Sequence, residues 1–256
     1  NPLSLFVGGV AAVVLELAEP RVRAGVWQHT SFRRAPMERL QRTAYAAMLT
    51  VYGARSRAER LIGSVVRRHG TVSGVADDGR PYAANDAELL CWVHATAAFG
   101  FLEAYCRYVR PLTDAQRDTF YAEGRAVAAL YGANDAPCSH AEFDDVLSRM
   151  QPMLQGSPVI AEFLALMTHV DVLPAPLRHW QRALVCAAIA LLPTGLRTQL
   201  GLDVDWRLSG WQRTLIRGAG AMADRLVLEN HPAVQACRRL SLPDNYVYRK
   251  CGINDR

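Results

Sequence analysis

The sequence predicts an all-α fold. Apolar residues recur at helical spacing along most of the chain, capping residues stand at several of the expected helix starts, and prolines fall near the breaks between periodic segments. Strand alternation is confined to short fragments such as Tyr246-Val-Tyr248. No shift in composition marks a boundary and no internal repeat is visible, so the expectation is a single globular domain over residues 1–256.

Periodicity places helices over 5–18, 36–52, 56–69, 86–109, 113–131, 140–153, 158–169, 175–191, 209–228 and 231–240. The first is apolar from Leu3 to Ala18 but holds Glu16 and is too short to span a bilayer. It also lacks the basic start of a secretory leader, so it reads as a buried helix carrying Gly8-Gly9. A processed leader upstream stays open, because the chain starts without methionine. In the second, Arg39 and Thr43 are four apart and share a face that continues through Ala46, Ala47 and Thr50.

The third helix puts Ala58, Leu61, Ile62, Val65, Val66 and His69 on one stripe. Gly70-Thr-Val-Ser-Gly74 ends it, and the loop 71–85 follows, with turn chemistry at Asp77-Asp78-Gly79-Arg80-Pro81. Asp86 caps the next helix, Thr113-Asp-Ala-Gln forms a capping box, and Ser139 caps the segment after that. From about Ser241 the chain is polar and reads as a surface tail.

The chain's 256 residues are half hydrophobic, enough for a substantial core. Its 29 basic and 24 acidic residues give a formal charge of +5, scattered and not interleaved with aromatics. That pattern speaks against a nucleic-acid groove. Cys91, Cys106, Cys138, Cys186, Cys237 and Cys251 form no Cys-x-x-Cys pair and no zinc spacing. A reducing, cytoplasmic setting fits that usage. Nothing in the pattern separates a monomer from a homodimer.

His69 is the first candidate for chemistry. A histidine at the inner end of an amphipathic helix can hydrogen-bond inside the core, or it can present a neutral ring nitrogen to a metal in an apolar pocket. Arg39 with Thr43 and the small residues beyond them is the second. Such a face lets a flat group approach the backbone, and the arginine fork can pair with a carboxylate; the alternative is a surface arginine above ordinary helix packing. His94, on a face with Leu90, Ala97, Ala98 and Phe101, is the third. It reads as a core histidine bonded to a carbonyl or a supporting group, with direct metal ligation as the alternative.

These segments also carry a resemblance. In order they are Leu17-Ala-Glu-Pro20, Val26-Trp-Gln-His29-Thr-Ser-Phe32, Arg39-x-x-Arg42-Thr43, Tyr52-Gly53, Arg68-His69-Gly-Thr-Val72-x-Gly74, Asp78-Gly79-x-Pro-Tyr82-x-Ala-Asn85-Asp86-x-Glu-Leu-Leu90 and Trp92-Val-His-Ala-Thr96. The chain resembles the bacterial branch of the haem-dependent oxygenase family that holds rubber oxygenase (latex-clearing protein) and the oxygenase of mycophenolic acid synthesis. The likeness is strongest over 17–132. It continues more weakly through Leu192-Pro193-x-x-Leu-Arg197 and Pro232-Ala-Val-x-Ala236.

The resemblance implies a globin-like helical core enclosing haem b, with His69 as the iron ligand. It implies Arg39, Arg42 and Thr43 as the catalytic pocket residues. Arg39, Thr43, His94 and His29 would lie around the cofactor. Dioxygen and an unsaturated hydrophobic small molecule would be the substrates, with cleavage of a carbon–carbon double bond in a terpenoid, polyketide or lipid chain as the reaction.

Two departures stand out. Arg42 occupies the place of a lysine that can cap the iron in rubber oxygenase. A guanidinium stays protonated and cannot ligate, so water, no ligand or another side chain is expected there. Glu19 stands where relatives in this branch carry histidine, and at a helix end before Pro20 it reads as a surface group. The family's catalytic glutamate is not placed by the spacing. Two further readings stay in view. One is a haem protein of another activity, such as a peroxide- or aldehyde-handling enzyme or a haem or gas sensor. The other is a haem-free helical ligand-binding protein.

Overall fold

Asn1 starts the first helix by accepting hydrogen bonds from the backbone N–H groups of Leu3 and Ser4, ahead of a proline whose missing N–H costs nothing there. The computed structural model describes residues 1–29, 35–170, 173 and 175–248, with the side chains of residues 29, 36, 37, 40 and 176 outside that description. In chain order these residues form α1 (Pro2–Ala18), α2 (Pro20–His29), α3 (Pro36–Tyr52), α4 (Arg55–His69), β1 (Ser73–Val75) and β2 (Pro81–Ala83). Then come α5 (Ala87–Tyr108), α6 (Asp114–Tyr131), α7 (His140–Met150), α8 (Pro158–His169), α9 (Gln181–Ile189), α10 (Thr194–Gln199), α11 (Gly210–Ala223) and α12 (Pro232–Arg239). The fold is all-α apart from the small hairpin.

The expected caps are in place. The Asp86 carboxylate accepts from the N–H groups of Glu88 and Leu89, Thr113 and Gln116 close a capping box, and Ser139 accepts from the N–H of Glu142. Several boundaries differ from expectation. The stretch 71–85 holds an antiparallel hairpin pairing Gly74 with Tyr82, turned at Gly79 with φ of 82°. Tyr246–Tyr248 is a 3-10 turn, not a strand. The segment expected over 175–191 opens as a 3-10 turn, Ala175–Trp180, before α9. The helix expected to run to residue 228 stops at Ala223.

Two helices, α2 and α10, lie where none was expected. Each follows closely on a helix already ended, so neither had a long periodic run to announce it. In α2 the apolar positions are also diluted by Arg21 and Arg23, both of which the fold absorbs into ion pairs.

The core is built on α1 and α5. Val7, Val10, Ala11, Val14, Leu15 and Leu17 of α1 are buried, and the Trp92 indole N–H on α5 donates to the Leu15 carbonyl at 3.3 Å. The two helices approach most closely at Gly8 and Gly100. A Cβ on Gly8 would stand 2.6 Å from the Gly100 oxygen, and one on Gly100 would stand 2.3 Å from the Gly8 oxygen. Only hydrogen fits at either position. By length and apolarity α5 could cross a bilayer, but here it packs against α1, α6, α7 and α11.

α1 and α2 meet at 109°. Glu19 makes that corner, and it is fully buried, contrary to the surface position expected of it. Its carboxylate accepts from the Val22 N–H at 2.9 Å, from Arg21 Nε at 2.7 Å and from an Arg80 nitrogen at 3.3 Å. A buried carboxylate needs that many donors. The tight corner and the hairpin supply them together, and neither is visible in the local pattern.

Candidate active site

His69 ends α4, whose exposed positions are mainly the arginines and whose buried ones are Ala58 and Ile62. The imidazole is half-buried, as its place on the stripe requires. Its Nδ1 is buried and has no hydrogen-bond partner. Burial and the nearby Arg39 charge both lower its pKa below the ordinary histidine value, so the neutral ring prevails near neutral pH.

Arg39 reaches the same place from the second turn of α3. Its Nε is likewise buried without a partner. Burial lowers its pKa, and Arg42 and Arg68 lower it further, while Glu16 opposes them. The opposing charge is Glu16, half-buried near the end of α1 and without an ion pair to Arg39. Burial raises that carboxyl from the ordinary range to about 7, although Arg39 pulls in the other direction. Glu16, Arg39 and His69 therefore form one electrostatically coupled set drawn from α1, α3 and α4.

Glu16 was not among the residues singled out for chemistry. Its signal was present, since it is the only charge between Leu3 and Ala18, and a lone carboxyl in an apolar helix must face something polar. The charge it senses, Arg39, is on α3, which packs on α4 and α12.

The other expected residues are placed as follows. Thr43 is exposed, and its hydroxyl donates to the Arg39 carbonyl at 2.9 Å, so it braces the turn that carries Arg39. Arg42 is exposed and close enough to Arg39 to lower its pKa. Ala46, Ala47 and Thr50 are half-buried, and the Thr50 hydroxyl lies 3.4 Å from the Tyr131 hydroxyl of α6. His94 is half-buried, and a Cβ on Gly124 of α6 would stand 3.3 Å from its Nε2. Burial alone lowers the His94 pKa, so the Glu16–Arg39 charges do not reach it. The His29 side chain, a further candidate, lies outside the described residues.

Among the described residues no three His, Cys, Asp or Glu side chains converge as a protein-built metal cage. The coupled set instead offers one neutral imidazole nitrogen for a metal. Beside it is a cationic cluster of Arg39, Arg42 and Arg68 that suits carboxylates. Two of its buried nitrogens, on His69 and Arg39, have no partner within the protein. Residues of this kind fit an iron macrocycle bearing carboxylates, which needs a single protein ligand.

Residues 1–224 match the family described as the catalytic domain of the ER-bound oxygenase mpaB/B' and rubber oxygenase. The chain belongs to this family. As an mpaB/rubber oxygenase catalytic domain it is an oxidoreductase of the oxygenase kind, and the match takes in Glu16, Arg39 and His69 together. No curated relative and no solved structure gives a significant match.

Proposed function

We propose that this chain is a haem b-dependent oxygenase acting with dioxygen on an unsaturated hydrophobic small molecule, such as a terpenoid, polyketide or lipid chain. The observation that carries the reading is the coupled set of Glu16, Arg39 and His69 within the oxygenase match. When bound, haem would supply the iron at which dioxygen is activated.

The remaining roles belong to this chain's side chains. His69 offers a neutral ring nitrogen to the metal, kept unprotonated by burial and by Arg39. Arg39 holds a positive charge beside that nitrogen and can pair with a haem carboxylate. Glu16, with a pKa of about 7, can take a proton or return it near neutral pH, which is where a general acid–base group works best. Glu16 thus takes the place of the family glutamate that motif spacing left unassigned. Thr43 keeps Arg39 in register through the Arg39 carbonyl. Arg42 cannot ligate iron and acts only through its charge.

The visible absorption spectrum of the purified protein, oxidised and then reduced, is the test, read beside His69→Ala. A strong band near 400 to 430 nm, roughly where haem proteins absorb, should be present in the wild type and lost or displaced in the variant. A colourless protein that cannot be reconstituted with haem would defeat the reading. A haem-loaded protein that reacts with peroxide and consumes no oxygen with lipophilic alkenes would keep the cofactor and discard the oxygenase.

A further inference from the structure

A cavity of about 410 Å3 opens among α5, α7, α10 and α11 and shares no residue with the Glu16–Arg39–His69 set. Three arginines from three helices line it: Arg107 of α5, Arg197 of α10 and Arg213 of α11. Leu192, Pro193 and Arg197 lie in it together, so the motif Leu192-Pro193-x-x-Leu-Arg197, which the oxygenase site leaves unused, forms part of its wall.

The arginines are poorly neutralised. Of the two carboxylates in the cavity, Glu103 is taken by Arg117 of α6, which leaves Asp144. Arg107 and Arg213 make no ion pair or side-chain hydrogen bond among the described residues. Arg197 donates to the Thr194 hydroxyl at 3.0 Å, but its Nε is buried and has no hydrogen-bond partner. Arg197 is ion-paired with Asp203, Nε to Oδ1 at 3.8 Å, so Arg107 and Arg213 are the two without a counter-charge.

His140 adds a second such atom. Its ring lies parallel to Tyr121, with centroids 6.2 Å apart, and beside Phe143, which fixes its plane. Its Nδ1 is buried without a partner. The cleft thus gathers three guanidinium groups and an imidazole against Asp144, an excess of positive charge that favours an anion. Guanidinium forks converging from several sides match the oxygens of a tetrahedral dianion, and the apolar wall of Phe99, Leu191 and Leu192 suits an organic group attached to it.

We propose that this cleft binds the phosphate group of an organic phosphate monoester, held by Arg107, Arg197 and Arg213 with His140 beside it. The phosphate can belong to a soluble metabolite or to a lipid headgroup, and the same chemistry recognises both.

The test is titration calorimetry of the full chain with inorganic phosphate and glycerol 3-phosphate. Flotation with phosphatidylcholine vesicles, with and without phosphatidate, runs beside it. Arg107→Gln and Arg213→Gln alter exposed side chains, so the fold is expected to survive, and thermal melting checks this. Saturable binding of a soluble phosphate, weakened roughly tenfold or more in each variant, supports the proposal and assigns a metabolite. Binding only to phosphatidate vesicles, lost in both variants, supports it and assigns a lipid.

Arg197→Lys keeps the charge but not the fork and should weaken binding as well. No saturable binding in any arm overturns the proposal, and so does binding that both glutamine variants leave unchanged. His69→Ala should bind phosphate as the wild type does, so failure of the haem reading and failure of this one are read separately.

Discussion

In the proposed reaction, Glu16 is the residue that handles the proton. Its carboxyl is raised to about 7 by burial, with Arg39 holding it below where burial alone would put it. Two consequences follow from that balance. If Glu16 carries the proton, the rate against pH should show an inflection near 7 that Glu16→Gln removes. With haem bound as proposed, that variant should keep the haem spectrum while losing most of its turnover, on the order of a hundredfold or more for a lost general acid–base group. An unchanged pH profile in Glu16→Gln would take the proton away from this residue. Removing the charge in Arg39→Gln should move the inflection upward, since only the desolvation remains.

The half-buried position of His69 was legible from its stripe, because a period of 3.6 residues sets which side of a helix a residue faces. The contact of Thr43 with the Arg39 turn was legible from their spacing of four. Glu16 could be seen only as an oddity, because its partner is 23 positions away on another helix. Glu19 was misjudged because the corner after α1 and Arg80, 61 positions away, enclose it. A carboxylate at a helix end before a proline is ordinarily solvated, and this one is buried because Arg21, Arg80 and the Val22 N–H converge on it.

At the level of helices, the packing of α1 on α5 sets the position of Glu16. The contact of Gly8 with Gly100 lets the two backbones approach, and an added methyl at either would meet a carbonyl oxygen inside van der Waals distance. Backbone cannot rotate out of the way as a side chain can. Gly100→Ala should therefore destabilise the protein by about 1–3 kcal/mol, the usual cost of overpacking, and lower the melting temperature accordingly. Gly218→Ala on α11, where an added Cβ meets nothing within 4 Å, is the control and should leave the melting temperature unchanged or slightly raised. Equal effects at both positions would mean that the close approach is not what constrains the sequence there.

Among the elements, the long helices with caps were foreseen closely, and α3 and α8 end to end. The short ones were not. The residues of α10 number too few to carry a repeat, and the hairpin pairs strands too short to alternate visibly. Both are held by what surrounds them. Arg80 of the hairpin loop reaches Glu19, and Leu196 of α10 is buried in the core.

Across the whole molecule, the same carboxyl couples stability to pH. Glu16 is raised in the folded state, so between its unfolded value near 4.5 and its folded value of about 7 the folded protein binds the extra proton. Its contribution to stability is fully present below about 4.5 and is lost as pH rises through about 7. Melting temperatures measured from pH 5 to 8 should fall less steeply in Glu16→Gln than in the wild type. Parallel curves for the two proteins would show that Glu16 does not titrate in this range.

The all-α class, the main helices and two members of the coupled site follow from chain-local physics: side-chain period, caps and prolines act over a few residues and leave their mark in the order of the amino acids. The partner of Glu16, the burial of Glu19 and the gathering of three arginines with the 192–197 motif around one cleft have no such mark. They depend on which surfaces meet. The 109° corner between α1 and α2 encloses Glu19, and packing between helices far apart along the chain decides the rest, because desolvation and charge act through space.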